Sequence, residues 1–154
     1  MALGATTIAT GIAALTITGV TVKDLTAIPD VVYERDCPIL YPDHANWLTG
    51  STGSNEGESM QTFGAAGAGM WVIERVMRYQ YFHTVVGAGR GLKDFYSAMS
   101  TKQDAIITAL LALDLTNCDV MRVECSEFGS FADASNNSLL GFTVLVTVKE
   151  RVNQ

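Results

Sequence analysis

Catalytic equipment is scarce in this chain. Its 154 residues include only two histidines and three cysteines. The cysteines, Cys37, Cys118 and Cys125, are odd in number and widely spaced, with no Cys-x-x-Cys pair. That excludes a disulfide framework and predicts reduced thiols, some buried as small hydrophobes. A zinc site would need more ligands than His44 and His83 can add. Positive charge is also short: ten Lys and Arg stand against sixteen Asp and Glu, for a net charge of -6. A nucleic-acid binder needs a basic footprint to neutralise phosphates, so that class is disfavoured. The same acidity suits a surface past which DNA slides without sticking. Charged residues make up 17% of the chain, below the ordinary ~25%, which implies a surface partly covered by other subunits. Hydrophobic residues make up 48%, too many for a disordered chain, and the length fits one domain with one core.

Charge is missing altogether from Met1 to Val22, where Lys23 is the first ionised side chain. That length raises a membrane span or a signal peptide. The segment is instead rich in threonine, alanine and glycine and has no basic start, so membrane insertion is not expected. Ile8, Ile12 and Leu15 recur at helical spacing and predict a helix over 2–15, starting at the latest at Thr7 with Thr6 as its cap. Ile17–Leu25 reads as a short strand. Residues 29–69 are irregular. In them, Pro38 and Pro42 frame an extended Ile39–Tyr41, Asp43 can cap a helical turn anchored by Trp47, and Ser51–Glu58 is a polar loop before a strand at Ser59–Phe63.

Met70–Val85 is the clearest strand. Trp71, Ile73, Met77, Tyr79 and Tyr81 share one parity, and Glu74, Arg78 and Gln80 the other. Arg75 interrupts the apolar face and either pairs across the sheet or marks the end of the core. Such length implies a projecting end or a bulge. Gly91–Leu113 is the clearest helix, with Leu92, Phe95, Tyr96, Met99, Ile106, Leu110 and Leu113 on one face and a potential break at Ser100–Thr101. Asp119–Phe128 reads as a strand with Met121, Val123 and Cys125 inward, Gly129–Ser138 as a turn, and Leu139–Val152 as a strand with Phe142, Val144, Val146 and Val148 inward. The fold class is α+β: an antiparallel sheet of about four main strands with helices packed on one face.

The likeliest ligand loop is Val85–Asp94, where Gly87, Gly89 and Gly91 lie between a strand and a helix. It lacks the Gly-Lys-Ser/Thr of a P-loop and the spacing of a dinucleotide fingerprint, so a sharp sheet-to-helix turn is the better reading. Cys37 stands beside Asp36, which opposes thiolate formation. Glu124 and Glu127 lie three apart on a strand and face opposite ways, so they cannot work as an acid–base pair. His83 reads as a surface or interface histidine and His44 as part of a solvated turn. No catalytic, metal or cofactor site is expected.

Several strings occur in a fixed order. Ile-Ala-Ala-Leu-Thr-Ile-Thr-Gly-Val-Thr-Val-Lys-Asp-Leu (12–25) precedes Ile28-Pro29 and Arg-Asp-Cys-Pro-Ile-Leu-Tyr-Pro-Asp (35–43). Gln-Thr-Phe-Gly (61–64), the long aromatic strand and Val-Gly-Ala-Gly-Arg-Gly-Leu (86–92) follow. In these the chain resembles the tail terminator, or tail completion, proteins of long-tailed bacteriophages. The resemblance implies a structural virion protein without enzymatic activity or cofactor, assembled in the host cytoplasm into a self-associated ring, usually a hexamer. The ring caps the tail tube protein, ends tube polymerisation and joins the tail to the head-side connector or stopper protein, with DNA passing through the lumen. Contacts are then expected on a loop near 51–69 with Phe63, on the bend at Arg90, and on the turn 128–137 with Phe131 exposed. Asp24, Asp30, Glu34, Glu56 and Glu58 are candidates to line the lumen. Two alternatives remain: another neck protein (a head-closure or tail-adaptor subunit), and a small-molecule enzyme using the Gly87–Gly91 bend.

Overall fold

The computed structural model describes residues 4–43, 47, 58–63, 70–87 and 91–153. They form two α-helices and a seven-stranded mixed sheet that is mostly antiparallel. Two strands of sixteen residues each, β4 (Met70–Val85) and β7 (Ser138–Asn153), pair along their whole length and form the spine. Shorter strands flank this ribbon. On the β4 side lie β2 (Ile39–Pro42), opposite Tyr79–Phe82, and β3 (Glu58–Phe63), opposite Met70–Arg75. On the β7 side lie β5 (Cys118–Cys125) and β6 (Gly129–Ala132). Outside β2 runs β1 (Thr21–Val22), parallel to it, which corrects the expectation of a purely antiparallel sheet.

The expected parity of the long strands is what buries them. Met77, Tyr79 and Tyr81 of β4 and Phe142, Val144, Val146 and Val148 of β7 all point to one side and are essentially sealed from water. Each such side chain contributes about 1.5–3 kcal/mol on burial. Helix α1 (Ala5–Ala13) adds Ile8 and Ile12 to this core, and α2 (Leu92–Leu111) adds Met99, Ile106 and Leu110. Both helices therefore lie on the same face of the sheet. At nine residues, α1 is too short to persist alone and depends on that packing. Its cap is not Thr6, which lies inside the helix and whose carbonyl accepts a bond from the Thr10 hydroxyl; Gly4, at φ 84°, opens it instead. Helix α2 runs unbroken through Ser100–Thr101. Tyr96, expected on its inner face, is 58% exposed.

Two bulges account for the remaining departures in the strands. In β4 the register shifts between Phe82 and Thr84, leaving His83 as the extra residue. In β5 it shifts between Val120 and Arg122, so Met121 drops out of the alternation and stands 53% exposed. Val123 and Cys125 pack on the core as expected, and Val120 takes the place expected for Met121. The Gly129–Ser138 turn also proves half strand, because its first part is β6.

A second, smaller cluster was not visible in the sequence. Val32, Ile39, Tyr41, Phe82 and Leu139 form it on the sheet face away from the helices, with Ile28, Cys37, Val85 and Phe131 packed against it. The segment 28–37 lies over that end of the sheet and is fastened by Asp133, whose carboxylate is buried. It accepts bonds from the backbone amides of Val32, Ser135 and Asn137 at 2.9 Å each and from the Asn137 side chain at 3.2 Å. Burial pushes this carboxyl up, but the four hydrogen bonds outweigh it and hold the group below the usual carboxylate range.

Candidate contact surfaces

Among the described residues, the groups the sequence singled out for chemistry are the three thiols, His83 and the start of α2. Burial raises all three thiols to about 11, helped for Cys37 by Asp36 and Glu34 and for Cys118 by Glu150. They are protonated at neutral pH and are poor nucleophiles. His83 Nδ1 lies 2.8 Å from the Tyr81 hydroxyl, and its ring packs against Phe95. Burial and the nearby Lys102 charge keep the imidazole below its usual range, so it is neutral near pH 7. At the start of α2 the Asp94 carboxylate accepts the Gly91 amide at 2.9 Å. A carboxylate thus already sits at the helix end where a phosphate would bind, and it would repel one. Among the described residues no cluster of His, Cys, Asp and Glu could hold a metal ion, and no helix is long and apolar enough to cross a membrane.

The expected contact residues fall in different places. Phe63 ends β3, its backbone opposite Met70. The strand expected at Ser59–Phe63 is thus present as Glu58–Phe63, and the rest of the 51–69 segment lies outside the described residues. Arg90 and Glu56 lie outside them as well, as does the helical turn expected after Asp43, except for Trp47, which packs on the main core. Phe131 is a correction: it is half-buried in the second cluster, because strand pairing with Leu139 turns it toward the sheet.

Of the acidic candidates, Asp24 accepts the Leu25 amide at 2.7 Å and the Thr10 hydroxyl at 3.1 Å, tying α1 to the following turn. Asp30 and Glu34 are exposed on the segment that covers the opposite sheet face. Glu58 begins β3, in register with Arg75.

Two grooves stand out at the end of the sheet where β6 sits. One, of about 460 Å³, is lined by Val32, Tyr33, Glu34, Val85, Val86 and Asn137. In it Tyr33 is 49% and Val86 45% exposed, and the Arg35 guanidinium rests 4.5 Å over the Tyr33 ring. The other, of about 430 Å³, is lined by Leu92, Tyr96, Gln103, Ser126, Glu127 and Phe128, with the Tyr96 ring edge-on to Phe128 at 5.1 Å. One groove opens beside the helices and the other beside the 28–37 segment, so exposed aromatic surface appears on both sides of one end of the subunit. Sequence reasoning missed both, because it assigned Tyr96 to the core and treated 29–37 as irregular. No protein-family model matches the chain, and no curated protein matches it in sequence.

Proposed function

We propose that the protein is a structural subunit that works by self-association: a ring, hexameric by its resemblance to tail terminators, that caps the phage tail tube, ends its polymerisation and joins the tail to the head-side connector. The observation that carries the reading is the pair of grooves at one end of the sheet. Partly exposed tyrosines beside half-buried apolar side chains are the usual anchors of protein contacts. Solvent-facing aromatics on both sides of a small domain suit a unit with a neighbour on each side. Thiols held protonated and a carboxylate at the α2 start weigh against an enzyme acting at the Gly87–Gly91 bend. The net charge of -6 suits a lumen that lets DNA pass without sticking.

The test is light-scattering mass of the purified chain together with negative-stain images of it alone and mixed with tail tubes. A closed ring that sits on tube ends is the expected result. A single-copy mass at high concentration, with bare tube ends, overturns the reading. Rings that bind connectors but never tube ends point to a different neck position.

A further inference from the structure

The sheet face away from the helices is partly exposed along β4 and β7: Glu74, Arg78, Thr143, Leu145 and Lys149 are half-exposed there, while Gln80 and Thr147 are buried. Its charges are largely matched within the face: Lys149 with Glu74 at 3.8 Å, Arg151 with Asp119 at 2.9 Å, and Arg122 with Glu124 at 2.7 Å. Arg78 is different. It lies on the same face, with Leu145 directly across on β7 and Glu124 beyond that on β5. It lines a recess of about 350 Å³ together with Ser126, Thr143 and Leu145. Its Nε is shut off from water and has no hydrogen-bond partner, and no carboxylate of the described residues pairs with it. Glu124 shares the recess but is engaged by Arg122. A half-exposed guanidinium with one N–H buried and unbonded gains from an incoming carboxylate that reaches it.

The opposite side of the molecule carries a matching feature. Between Asp94 and Asp114 the only charged residues are Lys102 and Asp104. Lys102 is drawn aside, its ammonium donating to the Thr18 carbonyl at 2.8 Å. Ser97, Thr101, Asp104, Thr108 and Leu111 are all exposed, and their spacing puts them in one stripe along the outer face of α2. Solvated helix faces usually alternate charges of both signs. This one is small and nearly neutral, with Asp104 as its lone charge and no ion pair to it among the described residues.

We infer that the outer stripe of α2 in one copy seats on the partly exposed sheet face of the next, with the Asp104 carboxylate entering the Arg78 recess. The inference rests on the ring reading above and specifies its contact. Arg78 and Asp104 stand on opposite faces of the subunit, so two copies cannot satisfy both sites in a two-fold pair. The contact is head-to-tail, the kind that closes into rings.

Charge reversal tests it in the full-length protein, with light-scattering mass as the readout and circular dichroism and thermal melting as folding checks. Arg78→Asp and Asp104→Arg should each weaken association by about 30-fold or more, and the double reversal should restore the ring. Arg78→Gln and Asp104→Asn, milder changes, should weaken it without altering the melt. If the wild-type ring forms but the single reversals keep its mass, or the folded double variant stays dissociated, this contact is wrong and the ring stands. A wild-type chain that remains a single copy removes both.

Discussion

Glu74 and Arg75 are neighbours in β4, and Lys149 and Glu150 are neighbours in β7. Each strand contributes one residue to an ion pair on either side of the sheet. Glu74 and Lys149 meet at 3.8 Å on the open face, their side chains 42% and 43% exposed. Arg75 and Glu150 meet on the helix face, at 7% and 1% exposure. The chemistry is alike and the strands are the same, but the surroundings differ. In water the pair is screened and its members lose little on parting, whereas in the interior each charge has given up its hydration and relies on its partner. The alternation of a single strand therefore sorts like residues into decorative and structural roles.

The most severe way to break this contrast is to disturb the register that sets it. A side chain at Gly141 would bring its Cβ within 1.9 Å of the Tyr81 carbonyl oxygen, which belongs to the backbone of β4. Gly141→Val should cost about 5 kcal/mol or more, a large share of a domain's stability, and urea denaturation should find little folded protein.

Next comes the covered pair itself. Glu150→Ala should cost about 3–5 kcal/mol, since it strips a buried guanidinium of a counter-charge. The double variant Arg75→Met, Glu150→Leu should recover most of that loss, and a double variant as unstable as the single one would show that the pair contributes more than mutual compensation.

Asp133 tests the second cluster, which covers the other face at one end. Asp133→Ala should cost about 2–3 kcal/mol, the range for losing hydrogen bonds to a charge. The native value of this carboxyl lies below its unfolded value of about 4. Its contribution is therefore fully present above that value and is lost as pH falls through the native one. Wild type and Asp133→Asn should differ in urea midpoint at pH 6 and converge toward pH 2. The smallest effect belongs to the open-face pair: Glu74→Ala should change stability by no more than about 0.5 kcal/mol, with little response to salt.

The two long strands and α2 were legible because each shows its apolar residues at a single period over many turns of chain. Phe142 to Val148 and Met77 to Tyr81 were assigned to the core from alternation alone, and both sets are buried. Arg75 was readable as a conflict in that pattern, and cross-sheet pairing resolves it. What escaped the sequence depends on position in space. Nothing in Val-Met-Arg announces that Met121 is the bulged residue, because a bulge is set by the partner strand. Gly129–Ala132 looked like a turn, since a four-residue strand beside asparagines and serines carries too little pattern to show. Phe131 was placed in water for the same reason. The second cluster assembles residues from 28–37, β2, β4 and β7, which are far apart in the chain. The grooves and the Arg78 recess were not legible, because they exist only once strands are side by side.

The β4–β7 ribbon has one more consequence. Fifteen paired residues in each strand extend over roughly 50 Å, interrupted by one bulge and no loop. Such a beam resists stretching along its axis, because every rung of hydrogen bonds would have to slip together. A subunit built on it acts as a spacer of fixed length, passing a push on one end to the other with little of the displacement absorbed on the way.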